Sequence, residues 1–293
     1  MGKARPALDI RLPTTHDPNL IELVFARLDD FQPTALQEGD GGALLAFFSS
    51  SCARDAALGA IVSGFASRGV SGRTLDVDDE DWAARSQAEL RAVEVGCLVV
   101  APPWDVPTSV RAGVTTIVID PSMGFGTGHH ESTRLCLHAL QRIDLHGREV
   151  LDIGTGSGVL AIAAALLGAN HAAAIDVDPD ALQSARENAA RNGVESRITF
   201  EQADFRDARL SAADIVLANL TGAVVCKTFG RLVELAAPTG ALILSGFTHD
   251  ERGARPDGFI ATSPQVKIVE QLDEEGWRCF VLRRCSNSFH NQF

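Results

Sequence analysis

The chain has 293 residues, enough for about two domains, and 45% of them are hydrophobic, an ordinary content for a protein with a buried core. Its 38 acidic and 26 basic residues give a net charge of −12, which disfavours direct binding of nucleic acid and favours a basic partner. The sequence has no C-x-x-C cysteine pair, which argues against a zinc or redox motif. It has no apolar run of roughly 18 residues, which argues against a membrane helix, and no secretion-signal pattern at its start. These features favour a cytoplasmic protein.

The first 77 residues show an alternation of short strands and helices. Apolar periodicity and turn residues predict the order βαββαβ, with the runs ALDIRL, LIELVFARL, PTALQE, ALLAFF, ARDAALGAIVSGFASRG and RTLDV. Such a unit, residues 1–77, closes into a small α+β ferredoxin-like domain, a fold that hosts many functions and identifies none. The acidic run DDED then begins a predicted linker, residues 78–104, which ends in the strand CLVVAPPW.

The stretch DPSMGFGTGHHESTR, residues 120–134, contains three glycines and two adjacent histidines. A phosphate-binding loop would need Lys and then Ser or Thr after its last glycine, but Gly128 is followed by His129 and His130. Adjacent histidines in a loop tend to point apart, and no clustered Cys or carboxylate completes a zinc site, so no metal is expected. We therefore interpret the stretch as a glycine turn that is free to cover a ligand and that leads into a helix, STRLCLHALQRI. The apolar stripe of this helix consists of Cys136, Ala139, Leu140 and Ile143.

Residues 105–293 are predicted to form a second domain. Buried strands alternate there with amphipathic helices, which predicts a parallel sheet covered by helices on both faces. The strands are REVLDIG, AAAIDV, ITFEQAD, ADIVLANL and GALILSGF. The last two strands, VKIVEQL and WRCFVLRR, are joined by a short DEEG turn and should form an antiparallel hairpin. The expected fold is α/β and Rossmann-like, with seven strands.

A glycine-rich turn follows the first strand of this domain. In LDIGTGSG, Gly154, Gly156 and Gly158 precede a helix, and the missing Cβ atoms let a ligand approach the backbone. Asp176 ends the next strand, where a carboxylate can accept hydrogen bonds from both hydroxyls of a ribose. The spacing is G-x-G-x-G, with Val159 in the place of the third glycine of the dinucleotide fingerprint, which disfavours NAD. S-adenosyl-L-methionine, which has one ribose and a carboxylate instead of a pyrophosphate, fits better. A dinucleotide site and a purely structural turn stay open as alternatives.

Two further polar residues end strands of the predicted sheet. Asp204, in EQAD, lies within reach of the expected position of an adenine amino group, or else is simply solvated. Asn219, in ANLTG, has a side-chain amide that can accept a hydrogen bond from a nucleophilic amine and direct its lone pair at a methyl group. The alternative for Asn219 is an ordinary turn residue.

Several motifs in this order and spacing strongly resemble one family. They are DPSMGFGTGHHESTRLCL, LDIGTGSGVLAIAAALLGA, IDVDPDAL, ENAARNGV and ANL. The resemblance is to the PrmA family of bacterial ribosomal protein L11 methyltransferases, class I enzymes that use S-adenosyl-L-methionine, and it runs from about Trp82 to the ending EEGWRCFVLRR. The loop FGTG-H-x-x-T is far more specific to this family than the glycine turn, which many methyltransferases share. The βαββαβ start agrees with the substrate-recognition domain of that family.

The resemblance implies roles for individual residues. It places Thr133, Gly154, Asp176 and Asn219 at cofactor-contacting positions, and it implies that Phe125, Gly126, Thr127 and Gly128 form the loop over the methionine end of the cofactor; the glycine turn adds Gly156. One departure concerns the acceptor pocket. Thr221 and Gly222 stand where the family usually has a small apolar pair, which affects the expected shape of that pocket. The final CSNSFHNQF extends past the part that resembles the family.

The family's acceptors are lysine side chains and the N-terminal amine of a basic ribosomal protein, each methylated up to three times. A free lysine has a pKa near 10.4 and must lose its proton before it can attack. The sulfonium charge and a partly desolvated channel lower the amine pKa, so water can remove the proton, and Asn219 is expected to orient the amine. His129 or His130 as a general base is the alternative. Other functions that stay open are a related protein-lysine or small-molecule methyltransferase, an NAD-linked oxidoreductase and a non-catalytic binding module.

Overall fold

The computed structural model describes residues 4–13, 18–31, 33–39, 43–78, 90–109, 111–121, 128–249 and 256–285. The chain divides into two compact units, Met1–Glu89 and Leu90–Phe293. None of the helices within these described ranges is long and apolar enough to cross a membrane.

The described residues of the N-terminal unit form one antiparallel sheet and two helices. Its elements are β1 (Ala4–Arg11), α1 (Pro18–Asp29), β2 (Ala35–Gly39), β3 (Ala43–Phe47), α2 (Ser51–Phe65) and β4 (Ser71–Asp78). The strand order is β2-β3-β1-β4, and every neighbouring pair is antiparallel. The helices bury Val24 and Ile61 against Leu8, Leu44 and Phe48 of the sheet. The predicted order βαββαβ is therefore present, and the assignment of this unit as ferredoxin-like stays a prediction.

A small sheet opens the C-terminal unit. It consists of β5 (Val93–Val95), β6 (Leu98–Ala101) and β7 (Thr115–Val118), with β5 and β6 antiparallel and β6 and β7 parallel. Two of these strands fall in residues 78–104, the segment that the sequence assigned to a linker. The apolar run CLVVA is a buried strand because Leu98, Val99 and Val100 pack in the core of this unit.

The large sheet has seven strands in the order β10-β9-β8-β11-β12-β14-β13. The strands are β8 (Glu149–Ile153), β9 (His171–Asp176), β10 (Ile198–Gln202), β11 (Ala213–Asn219), β12 (Ala236–Thr248), β13 (Val266–Glu274) and β14 (Trp277–Arg284). The first five are parallel, and β14 runs antiparallel to both of its neighbours. The predicted parallel sheet with a closing antiparallel hairpin is confirmed.

Five helices accompany this sheet in the described part of the unit. They are α3 (Glu131–Leu140), α4 (Val159–Leu166), α5 (Pro179–Arg191), α6 (Gly222–Leu235) and α7 (Pro256–Thr262). The sheet separates two hydrophobic clusters, one containing α3 and α4 and the other containing α6 and α7. The predicted stripe of α3 is buried at Cys136, Ala139 and Leu140, whereas Ile143 follows the end of the helix and is partly buried.

The helix α4 lies close to α5 because its N-cap is a glycine. Gly158 has φ +83°, and a Cβ there would lie 3.0 Å from Cβ of Ala185 in α5. A side chain would be strained by the backbone and would push the helices apart. The third glycine of the turn thus serves helix packing.

Candidate active site

One cavity opens at the carboxyl ends of the parallel strands, with a volume of about 530 Å³. This is the edge at which open α/β sheets bind ligands, and the volume is typical of small-molecule sites. The cavity brings together five of the residues predicted from the sequence, and these are Thr133, Gly154, Gly156, Asp176 and Asn219. The other lining residues are His130, Ser132, Thr155, Val159, Leu160, Asp178, Ala181, Leu220, Thr221, Val224, Gly246 and Trp277.

The glycine turn forms the floor of the cavity between β8 and α4. Gly154 has φ +69° and Gly156 has φ +53°, a region that favours glycine. The backbone N–H groups of Gly154 and Thr155 both donate to the carbonyl of Ile175 in β9, at 2.9 and 3.0 Å. A Cβ on Gly154 would lie 2.9 Å from Cδ2 of Leu220, so the backbone of the turn is closely approached from across the cavity.

The carboxylate of Asp176 is fixed at the end of β9. Its Oδ2 accepts a hydrogen bond from the backbone N–H of Gly156 at 3.0 Å, and its Oδ1 accepts one from the N–H of Asp178 at 3.1 Å. Each carboxylate oxygen has about two acceptor positions, so both oxygens keep capacity for further donors. The arrangement suits a pair of vicinal hydroxyl groups entering from the cavity.

A buried carboxyl group that the sequence reasoning missed supports the turn from below. Asp152 is 1% exposed, and its Oδ2 accepts hydrogen bonds from Oγ1 of Thr155 at 2.6 Å and from the backbone N–H of Ala161 at 3.2 Å. Burial raises the pKa of Asp152 to about 6, and the nearby carboxylate of Asp176 also raises it. The signal in the sequence was a single aspartate inside the apolar run VLDIG.

Asn219 and Thr133 form the opposite wall of the cavity. The amide Nδ2 of Asn219 donates to Oγ1 of Thr133 at 3.2 Å. The amide oxygen Oδ1 is shielded from solvent and has no hydrogen-bond donor within the described part of the chain. An acceptor buried in this way costs about 1–3 kcal/mol unless a donor reaches it, so a ligand N–H at this position would be stabilised.

His130 lines the cavity and caps α3. Its Nδ1 accepts hydrogen bonds from the backbone N–H of Ser132 at 3.3 Å and from Oγ of Ser132 at 2.8 Å. Its ring contacts the ring of Trp277 edge-on, with 4.3 Å between centroids. Burial lowers the pKa of His130, an effect that Arg134 adds to and Glu131 opposes. The imidazole is therefore neutral at pH 7.

His129 points to a different partner. Its Nε2 donates to the backbone carbonyl of Arg91 at 2.7 Å, and His129 is not among the residues that line the cavity. Arg134 in α3 donates to the carbonyl of His129 and to the carboxylate of Glu274 at 2.8 and 3.0 Å. These contacts tie the segment before α3 to the hairpin that carries Trp277. Across the described ranges, no three His, Cys, Asp or Glu side chains cluster as a metal site requires.

The remaining predicted residues are not among the described residues that line the cavity. Phe125, Gly126 and Thr127 lie outside the described residues. Gly128 is buried with φ +84°, and a Cβ there would lie 2.6 Å from Cγ1 of Val100, so this glycine fixes the end of the segment against β6. Its predicted cofactor contact stays a prediction.

Asp204 is held by a neighbouring arginine. Both of its oxygens accept hydrogen bonds from Nε of Arg206, at 2.8 and 2.9 Å, and the side-chain hydrogen bond from Arg206 lowers the pKa of Asp204 to about 2. Asp204 is not among the residues lining the cavity, and its contact with an adenine stays a prediction.

Most of the other lining residues were not singled out as ligand contacts from the sequence. Among them, Trp277 comes from the start of β14, and Gly246 from near the end of β12. Thr221, at the departure from the family pattern, is the N-cap of α6 and makes no side-chain capping hydrogen bond. It lines the cavity, and its effect on the shape of the acceptor pocket stays a prediction.

Comparisons with known proteins agree with this geometry. A family model described as ribosomal protein L11 methyltransferase (PrmA) matches residues 30–285. The ribosomal protein L11 methyltransferase of Geobacter metallireducens is 40% identical over 205 residues, covering 69% of this chain and 66% of that protein. The one from Caldicellulosiruptor saccharolyticus is 39% identical over 211 residues, covering 71% and 67%. The matches thus span about two thirds of the length of these curated relatives.

A solved structure also matches. The crystal structure of ribosomal protein L11 methylase from Lactobacillus delbrueckii subsp. bulgaricus has a TM-score of 0.61 and 25% identity, and the match covers 67% of this chain and 100% of that one. The predicted Rossmann-like class I methyltransferase fold is confirmed.

Proposed function

The chain belongs to the ribosomal protein L11 methyltransferase (PrmA) family, and from this premise we propose that it transfers methyl groups from S-adenosyl-L-methionine to amines of ribosomal protein L11. The observation that carries the proposal is the buried Oδ1 of Asn219, which has no donor among the described residues and belongs to a residue that lines the same cavity as the glycine turn and Asp176. A hydride-transfer site does not require a hydrogen-bond acceptor for an amine at this position, whereas a site that methylates nitrogen does.

The residues of the cavity fit S-adenosyl-L-methionine. Gly154 and Gly156 adopt the positive φ values of the turn that lines the cavity, and an amino-acid tail would lie against this turn. Asp176 presents both carboxylate oxygens to a ribose diol and is held in place by two backbone donors. When bound, the cofactor supplies an electrophilic methyl group on a sulfonium. Thr133, Gly154, Gly156, Asp176 and Asn219 are the residues that we assign to this site.

Asn219 is our candidate for orienting the acceptor. Its Nδ2 is held by Thr133, so Oδ1 is fixed rather than free to rotate. Accepting an N–H of the incoming amine would satisfy this oxygen and aim the nitrogen lone pair, a positioning effect that commonly accelerates a reaction by orders of magnitude. The side-chain amide of Asn219 is not basic, so it orients the amine and does not deprotonate it.

The acceptor amine loses its proton to water. Desolvation in a cavity lined by Leu220, Val224 and Trp277 lowers the pKa of a lysine amine from about 10.4. His130 as a general base is disfavoured because its Nδ1 caps α3, and His129 because its Nε2 binds the carbonyl of Arg91. These contacts support structural roles for both histidines.

The roles of the two parts of the chain are also proposed. Residues 1–77 would recognise the protein substrate, residues 78–104 would connect the parts, and residues 105–293 would carry the chemistry. The net charge of −12 supports a basic partner and disfavours direct contact with nucleic acid. Lysine side chains and the N-terminal amine are the proposed acceptors, and the cytoplasm is the proposed location.

Labelling of purified L11 tests the proposal. The protein is incubated with tritiated S-adenosyl-L-methionine and L11, and the label is located by mass spectrometry of peptides. Label on lysine or N-terminal amines is the expected result. Binding of the cofactor without labelled L11 would favour a related methyltransferase with another substrate, whereas calorimetric binding of NAD alone would favour an oxidoreductase and binding of neither a non-catalytic module.

A further inference from the structure

The strand β12 carries a bulge where it borders the cavity. Leu244 pairs with Phe280 of β14, and Phe247 pairs with Arg278, so β12 has one residue more than its partner in this interval. The extra length lies at Ser245 and Gly246, and Gly246 has φ +96°. Such bulges bend a strand and occur often beside active sites, where they redirect neighbouring groups. Gly246 itself lines the cavity.

The bulge lies directly against the residue that follows Asn219. A Cβ on Gly246 would lie 2.4 Å from the carbonyl oxygen of Leu220, 2.7 Å from its nitrogen and 2.8 Å from its carbonyl carbon. All three atoms are backbone, so the contact cannot be relieved by turning a side chain. The N–H of Leu220 also donates to the carbonyl of Ser245 at 2.8 Å.

The bulge is anchored on its other side. Ser245 is fully buried, and its Oγ donates to the carbonyl of Arg278 in β14 at 2.8 Å. Asn219 is the last residue of β11 and is in register with Ser245. The end of β11 is thus fixed from two sides, by the bulge at its backbone and by Thr133 at the amide of Asn219.

We propose that the Ser245–Gly246 bulge is a positioning element that sets the direction of Asn219 Oδ1 toward the acceptor amine. The proposal rests on the proposed function, in which Asn219 orients that amine. A Cβ at Gly246 would displace the Leu220 peptide and with it the end of β11. The residues assigned to the ribose and the amino-acid tail lie in the turn after β8 and at the end of β9, so the Kd for the cofactor should change less than kcat.

Paired glycine variants test the proposal. Gly246→Ala introduces both a strained φ and a clash with Leu220. Gly193→Ala is the matched control, because Gly193 has φ +65° and nothing within 4 Å of an added Cβ. We expect Gly246→Ala to lower kcat for methylation of L11 at least tenfold while the Kd for S-adenosyl-L-methionine, measured by calorimetry, changes less than threefold. Gly193→Ala should retain both values.

A double-mutant cycle separates positioning from a general structural effect. In the Asn219→Ala background, Gly246→Ala should lower kcat by less than twofold, because the group that it positions is gone. An undiminished loss in that background would overturn the proposal, and so would a Gly246→Ala enzyme as active as Gly193→Ala. A wild-type protein that binds the cofactor but does not methylate L11 would instead refute the proposed function and this inference with it.

Ser245→Ala gives a second route if Gly246→Ala does not fold. It removes the Oγ hydrogen bond to Arg278 without adding an atom. In the otherwise wild-type protein, we expect Ser245→Ala to lower kcat about threefold. In the Asn219→Ala background, we expect Ser245→Ala to leave kcat unchanged. Unchanged kcat in the wild-type background would overturn the proposal.

Discussion

The amide Nδ2 of Asn219 donates to Oγ1 of Thr133 at 3.2 Å, which joins the end of β11 to the first turn of α3. Thr133 is 1% exposed, so the hydrogen bond is protected from water. This hydrogen bond fixes the orientation of the Asn219 amide. The consequence is a fixed amide whose Oδ1 is buried and has no hydrogen-bond donor among the described residues.

Replacing Asn219 should impair catalysis more than cofactor binding. We expect Asn219→Ala to lower kcat for L11 methylation about a hundredfold, the usual scale for loss of a positioning contact, with the cofactor Kd within about threefold. Steady-state kinetics and calorimetry measure the two effects. Asn170→Ala is the control, because Asn170 is an exposed amide bonded to Glu149 and should be silent. Equal activity of the two variants would remove Asn219 from the mechanism.

Replacing Asp176 should impair cofactor binding more than catalysis. Asp176→Ala loses the acceptor for the ribose hydroxyls, so cofactor affinity should fall more than tenfold, equivalent to at least about 1.4 kcal/mol. Calorimetric titration of the folded variant measures it. The matched control is Asp144→Ala, whose carboxylate is exposed and does not line the cavity. An unchanged Kd in Asp176→Ala would refute the ribose assignment.

Asp152 should make stability depend on pH. Its folded-state pKa of about 6 lies above the ordinary value near 4, so the folded state binds more protons than the unfolded state between these values. Stability from this group is therefore full below about pH 4 and is lost as the pH rises to about 6, by up to about 3 kcal/mol.

Asp152→Asn removes this titration. The free energy of unfolding of the variant, minus that of wild type, should increase as the pH rises through the same window and be constant above about pH 7. Urea unfolding at a series of pH values measures the difference. If the unfolding free energies of the variant and of wild type keep a constant difference between about pH 4 and pH 7, burial does not perturb the pKa of Asp152.

His130 should act as a helix cap and not as a base. His130→Asn keeps a capping side chain, so stability and kcat should stay near wild type, with an unchanged pH profile of kcat. His130→Ala should lose about 1 kcal/mol of unfolding free energy through the missing cap. A large fall in kcat for His130→Asn, with loss of an ionisation in the pH profile, would instead identify His130 as the base.

Removing residues 1–77 tests the proposed recognition role. The remaining unit contains the whole seven-stranded sheet and the cavity, so cofactor affinity should be retained if the truncated chain shows a cooperative thermal transition. Methylation of L11 should be abolished. Full methylation by the truncated protein would show that substrate recognition lies elsewhere.

Much of the sheet and the cofactor side of the site could be predicted from local patterns. The strand REVLDIG, the glycine turn and Asp176 lie within about thirty residues of one another. Parallel strands deliver their carboxyl ends to one edge, so residues at those ends meet by topology alone. Gly154, Gly156, Asp176 and Asn219 were found in this way, and Thr133 through the family resemblance.

The contacts around Asn219 on the acceptor side could not be predicted, because they join distant parts of the chain. Thr133 and Asn219 are 86 positions apart, and Trp277 reaches the cavity from the antiparallel hairpin. The bulge at Ser245 and Gly246 depends on the register between β12 and β14, which a sequence pattern does not specify. The strand that contains Val100 was predicted, but its pairing with β7 was not, because this pairing joins separate segments of the chain.

A crystal structure of the protein with S-adenosyl-L-homocysteine would show directly where the cofactor binds. We expect the nucleoside in the cavity between the glycine turn and Asn219, with both ribose hydroxyls donating to the carboxylate of Asp176. A nucleoside bound elsewhere, or a ribose turned away from Asp176, would contradict this expectation.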